Sequence, residues 1–124
     1  MTVLYKGIAI AEKTEDKFIE AKITGKLTEK DYEVIIPELE RRIQKYGKLR
    51  LLIQLEDFQG WTAGALWEDI KFDFKHFHDV EKIALVGESQ WEKTATLFSK
   101  PFTGAELHYF DKADLEAARS WVRK

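Results

Sequence analysis

Leu55-Glu56-Asp57-Phe58-Gln59-Gly60-Trp61-Thr62-Ala63-Gly64-Ala65-Leu66-Trp67-Glu68-Asp69 is the stretch that decides the fold, because within it a strand ends, a loop turns and a helix opens. In an open α/β sheet, ligands and partners gather at such junctions. Upstream, Leu49 to Leu55 reads as a strand whose Leu51-Leu52-Ile53 run is apolar on both faces, as a central strand covered by helices requires. Downstream, a helix from about Ala63 to Phe77 places Ala63, Leu66, Trp67, Ile70 and Phe74 on one stripe, which is expected to face the core.

Working outward, Val3 to Lys13 and Phe18 to Lys26 read as two strands of a hairpin turned by Glu15-Asp16. In the second, Ile19, Ala21 and Ile23 alternate with Glu20, Lys22 and Thr24, which predicts one wet face. Thr28 stands at a helix N-cap, with Asp31 three residues on to answer it as in a capping box. The helix that follows aligns Tyr32, Ile35, Ile36, Leu39, Ile43 and Tyr46, and Gly47 suits its left-handed stop. Pro37 should bend or restart it, because an interior proline removes a backbone bond. Ile83-Ala84-Leu85-Val86 is a further apolar strand within Lys82 to Gly87. Ser89 can cap a third helix bearing Trp91, Ala95 and Phe98, which Lys100-Pro101 ends. Glu106 to Phe110 is a short strand, and Asp111 caps a last helix anchored by Leu115, Ala118, Trp121 and Val122. The order is β-β-α-β-α-β-α-β-α: an α/β fold with a mostly parallel central sheet, an N-terminal hairpin and helices packed against the sheet.

Composition narrows the function classes. A chain of 124 residues, 44% hydrophobic and 34% charged, suits one domain spanning 1–124, and no repeat or Gly/Ser/Pro linker divides it. With 20 Lys and Arg against 22 Asp and Glu, the formal charge of −2 lacks the basic excess that nucleic acid demands. No apolar run approaches the roughly 18 to 20 residues that span a bilayer, and the N-terminus lacks a signal-peptide layout, so a cytoplasmic location is expected. The absence of cysteine removes disulfides, thiolate metal sites and thiol nucleophiles.

Four phrases carry a resemblance: Gly25-Lys26-Leu27-Thr28-Glu29-Lys30-Asp31-Tyr32, Gly47-Lys48-Leu49-Arg50-Leu51-Leu52, Phe58-Gln59-Gly60-Trp61-Thr62-Ala63-Gly64-Ala65-Leu66-Trp67-Glu68-Asp69, and Phe110 to Trp121. Together with the element order they make nearly the whole chain resemble the SpoIIAA-like family. That is a group of small bacterial proteins of unsettled function within the STAS-type fold, related to anti-sigma-factor antagonists. In those antagonists the loop after the third strand carries Asp-Ser-Ser-Gly, and phosphorylation of a serine decides whether a partner binds. Aligned by its Gly, that motif meets Trp61, Thr62, Ala63 and Gly64. Trp61 replaces the Asp and Ala63 the second serine, while Thr62 alone keeps a hydroxyl and is the one candidate phosphoacceptor. A helix N-terminus favours an anion there, whereas capping alone also accounts for Thr62.

Other reactive-looking residues have plainer explanations. His76 and His78 with Asp79 fall short of the three or more supportively spaced ligands that zinc requires, so no metal is expected. His108 in the last strand is expected to be partly buried and hydrogen-bonded. Adjacent carboxylates at Glu56-Asp57 and Glu68-Asp69 point in different directions and do not frame one bond. Nucleophile-elbow, dinucleotide and Walker patterns are absent, so no cofactor and no enzymatic reaction are expected. Glu38, Glu40, Arg41, Arg42 and Lys45 read as a solvated helix face with cross-turn pairing.

Trp61 and Phe72 fall off the apolar stripe and are candidates for an exposed patch beside the junction. The leading expectation is a non-enzymatic regulatory or interaction module that meets a protein partner, or a second copy of itself as a homodimer. Its contact residues would be Phe58, Gly60, Trp61, Thr62, Gly64 and Phe72. The alternative is a carrier or sensor of a small apolar, lipid-like ligand held between the sheet and the second helix.

Overall fold

The computed structural model describes residues 2–5, 8–13, 18–75, 78–87 and 106–124, with the backbone alone described at 2–5, 8, 9, 11–13, 58–61, 66, 69, 70, 73 and 74. Its strands are β1 (Thr2–Tyr5), β2 (Ile8–Lys13), β3 (Phe18–Leu27), β4 (Leu49–Trp61), β5 (Val80–Gly87) and β6 (Glu106–Asp111). Its helices are α1 (Glu29–Tyr46), α2 (Ala63–Lys75) and α3 (Leu115–Arg123), the last preceded by a 3₁₀ turn at Lys112–Asp114. The strands form one sheet in the order β1-β2-β3-β4-β5-β6. β1, β2 and β3 pair antiparallel, and β3 through β6 pair in parallel. The four-strand parallel core and its helices agree with the expected α/β architecture.

Three element boundaries differ from expectation. The run from Val3 to Lys13 is two strands that pair with each other, Tyr5 opposite Ile8. β4 does not stop at Leu55 but continues to Trp61, because two register shifts let it stay paired with the end of β3. Pro37 does not interrupt α1. The bond it forgoes would run to the carbonyl of Glu33, and both residues are exposed, so water can satisfy that oxygen. The expected helix bearing Ser89, Trp91 and Phe98 lies outside the described residues, as do His76 and Phe77.

Alternation along the strands sends side chains to two layers. On one face Ile19, Ile23, Leu51, Leu55 and Leu85 pack with Tyr32, Ile35, Leu39 and Ile43 of α1 and with Ala65 of α2. On the other, Phe18, Leu52, Ala84 and Val86 pack with Leu115, Ala118, Trp121 and Val122 of α3. The capping box forms as read: Asp31 Oδ2 accepts the Thr28 N–H at 2.7 Å, and Thr28 Oγ1 accepts the Asp31 N–H at 3.3 Å. Gly47 ends α1 with φ of 86°, its N–H donating to the Ile43 carbonyl at 2.7 Å.

α3 is fastened at its C-terminus by cations from the sheet. Arg50 Nη1 donates to the carbonyls of Val122 (3.0 Å) and Arg123 (2.9 Å), and Lys82 Nζ to that of Trp121 (3.2 Å). These are carbonyls with no partner inside the helix, at the end where its dipole favours positive charge.

Candidate functional site

The carboxyl edge of the parallel strands carries the strand-to-helix junction, and no loop intervenes there. β4 ends at Trp61, Thr62 is the bridge, and α2 begins at Ala63. Thr62 ties both elements: its N–H donates to the Leu27 carbonyl at 2.9 Å, extending the β3–β4 ladder. Its Oγ1 accepts the Ala65 N–H at 3.2 Å, the N-cap bond expected of a threonine at this position.

The last turns of this ladder are irregular. Thr24 lies opposite Glu56, Gly25 opposite Phe58 and Lys26 opposite Gly60, so Asp57 and Gln59 are extra residues on β4. Such bulges twist a strand and cluster near functional edges. Gly25 takes a φ of 78° and Asp57 a φ of 50°, left-handed values that glycine adopts freely and aspartate only with some strain.

α1 and α2 run side by side, pinned at two levels. Glu29 Oε2 lies 2.9 Å from where a Cβ on Gly64 would stand, so the carboxylate rests close against the first turn of α2 and a larger residue at 64 would push it aside. Lys75 Nζ pairs with Glu40 Oε2 at 3.0 Å. Residues 29 and 40, and residues 64 and 75, are each separated by eleven positions, about three helical turns. The helices therefore run parallel along this seam, with Glu29 beside Gly64 and Glu40 beside Lys75.

The expected stripe fails at Ala63 and Trp67, while the side chains of Leu66, Ile70 and Phe74 lie outside the described residues. Ala65 (fully buried) and Phe72 (9% exposed), two turns apart, face the core. Ala63 is exposed, and Trp67 has 59% of its surface in solvent. Phe72 therefore does not join an exposed patch, and Trp67 is not a core residue. The sequence places apolar side chains on both sides of this helix, so periodicity alone could not choose the buried side.

The remaining candidates fall as follows. Thr62 and Gly64 are half-buried at the junction, while Phe58, Gly60 and Trp61 are placed by their backbones in the last part of β4. Glu56 pairs with Lys22 at 2.9 Å and Glu68 with Lys71 at 2.7 Å, while the Asp69 side chain lies outside the described residues. His78 is exposed in a turn. His108 is exposed rather than partly buried, and its ring stacks on Trp121 at 4.4 Å. Among the described residues no group of three His, Cys, Asp or Glu could hold a metal ion. The charged face of α1 pairs across turns as expected, Glu38 meeting Arg41 (2.6 Å) and Arg42 (2.7 Å). Arg42, however, is 1% exposed, since it lies on the flank of α1 turned from solvent.

A family model described as SpoIIAA-like matches residues 18–123. The chain belongs to the SpoIIAA-like family. Among solved structures, this SpoIIAA-like chain is similar to an uncharacterised protein of the DUF3478 family from Shewanella loihica PV-4, itself described as having a SpoIIAA-like fold. The two share 30% identity over 93% of this chain and 91% of the other, with a TM-score of 0.74. No curated protein matches it. Among the described residues, no helix of this SpoIIAA-like protein is long and apolar enough to cross a membrane.

Proposed function

We propose that this SpoIIAA-like protein is a non-enzymatic regulatory module that binds another protein through the β4–α2 junction, residues 58–67. The observation that carries this reading is the exposure of Trp67 one turn beyond the cap residue Thr62. An indole is among the most energetic groups at protein interfaces, and a large apolar side chain held in water usually has a reason. It stands on a rigid platform, since Thr62 is bonded to both β3 and α2 and Gly64 is seated on α1. Thr62 serves this surface as a cap. Its hydroxyl already accepts a backbone bond, and the nearby Glu29 carboxylate would repel a phosphate placed there.

The test is a photo-reactive phenylalanine analogue at position 67, activated in the host cell, with native mass spectrometry of the unmodified protein. A discrete protein adduct at 67, and none from the same analogue at exposed Gln44, is the expected result. An intact mass carrying a bound apolar molecule, with no adduct at 67, would replace this reading with the ligand-carrier one. Phosphate on Thr62 in protein from that host would overturn its role as a simple cap.

A further inference from the structure

The partner's chemistry is legible in the charges around Trp67. Glu29 lies against Gly64, and residues 33 and 68 stand one turn further along the same sides of α1 and α2, so helical spacing turns Glu33 toward the side of α2 that carries Glu68. Three carboxylates thus line the N-terminal half of the seam between the helices, beside the exposed indole. The cations of α2 offer Glu29 and Glu33 no compensation, because Lys71 pairs with Glu68 and Lys75 with Glu40. Among the described residues Glu29 and Glu33, both exposed, enter no ion pair. Lys30 is adjacent to Glu29, where neighbouring helix positions point apart, and it stands three positions before Glu33 but forms no ion pair with it.

Resting on the contact surface proposed above, we infer that the partner presents a basic segment to this seam, with arginine or lysine against Glu29 and Glu33 and its apolar or guanidinium surface against Trp67. Charge complementarity selects that occupant. A planar guanidinium can accept the carboxylate on its edge and lie over the indole with its face, which one side chain of another type cannot do. An acidic segment would meet uncompensated like charge, and a second copy of this surface would bring the same carboxylates against one another. The first turn of α2 also contains no carboxylate of its own, so its positive end is met by Glu29 from α1. That arrangement keeps the acidic group on the outer rim, where a partner reaches it.

The test uses two twelve-residue amphipathic peptides, identical except that four polar positions are Arg in one and Glu in the other, titrated into the full chain labelled with nitrogen-15. The Arg peptide should shift the amides of Glu29, Glu33, Gly64 and Trp67, with an affinity that falls as salt rises, and the Glu peptide should not. The double substitution Glu29→Gln and Glu33→Gln should weaken the Arg peptide about five-fold in a chain whose amide spectrum stays folded, and Trp67→Ala should weaken it further. Equal binding of both peptides, no binding of either, shifts confined to another surface, or unchanged affinity in the Gln variant would each overturn the basic-segment inference. The contact surface itself is judged separately, by the adduct at position 67. An adduct to a partner segment without Arg or Lys would leave that surface standing and remove this inference alone.

Discussion

Arg119 on α3 clasps Glu20 on β3 with two parallel hydrogen bonds, Nε to Oε1 at 2.8 Å and Nη2 to Oε2 at 3.0 Å, joining residues ninety-nine apart in sequence. Gln54 Nε2 reaches the same carboxylate at 3.2 Å, and Glu116 engages the remaining guanidinium nitrogen. The Glu20 carboxylate holds the Arg119 guanidinium above its ordinary range, against a desolvation that pulls the other way. Both side chains are largely withdrawn from water, at 26% and 13% exposure, so removing one partner strands the other. Arg119→Ala should cost about 2 kcal/mol in urea unfolding. Arg119→Lys should recover less than half of that loss, because a single ammonium cannot reproduce the fork. Full recovery by lysine would show that point charge, not planar geometry, fastens α3.

Acid should loosen α1 through Glu38. Hydrogen bonds from Arg41 and then Arg42 hold its carboxyl below the usual Glu value of 4.5, and Glu81 is lowered likewise by Arg50. A carboxylate whose folded pKa is depressed contributes stability above its unfolded value and loses it as pH falls through the folded one. Melting temperature should therefore decline as pH drops below about 4.5, and Glu38→Gln should be less stable at neutral pH with a shallower acid decline. An unchanged acid limb in the variant would remove Glu38 from the explanation.

Thr62→Ala should lower stability by about 1 kcal/mol through the lost Ala65 bond, and Thr62→Ser should retain most of it. Amide hydrogen exchange would locate the damage, with faster exchange at Ala65 and little change in α3. Faster exchange spread evenly across α1, α2 and α3 would argue against a local cap.

The sequence made the layers legible because their signals are local. Alternation in β3, double-sided apolarity in β4 and the Thr28–Asp31 box all depend on residues a few positions apart and stand as read, except that the expected wet face of β3 is covered by α3 at Phe18 and Glu20. What escaped depends on distant partners. β4 runs on past Leu55 only because its own bulges at Asp57 and Gln59 keep it paired with the end of β3, and α2 meets Glu29 and Glu40 of another helix. Of the junction, the cap at Thr62 was readable. The aromatic residue that faces solvent there was not, since Trp67 and Phe72 differ by only five positions on a helix with apolar residues on both sides.

The bulge at the end of β4 supplies a backbone test. At Asp57 the φ of 50° is relaxed by glycine, so Asp57→Gly should be neutral or stabilising by up to about 1 kcal/mol. Gly25→Ala should destabilise by about 1 kcal/mol or more, although no heavy atom stands within 4 Å of the new Cβ, because the cost is conformational. Denaturant midpoints at constant m-value would measure both. A neutral Gly25→Ala would mean that the end of β3 adjusts without strain.

Trp67 and Phe72 give the most discriminating pair. Phe72 is 9% exposed and faces the core, so Phe72→Ala should cost about 3 kcal/mol by removing buried apolar surface and leaving a cavity. Trp67 is 59% exposed, so Trp67→Ala should move the melting temperature by no more than about 2 °C while reducing partner adducts captured from exposed Ala63. The two substitutions thus separate stability from contact on one helix. If Trp67→Ala unfolded the chain and Phe72→Ala did not, α2 would have to be rotated so that its other apolar stripe met the sheet, and the β4–α2 surface would lose its indole.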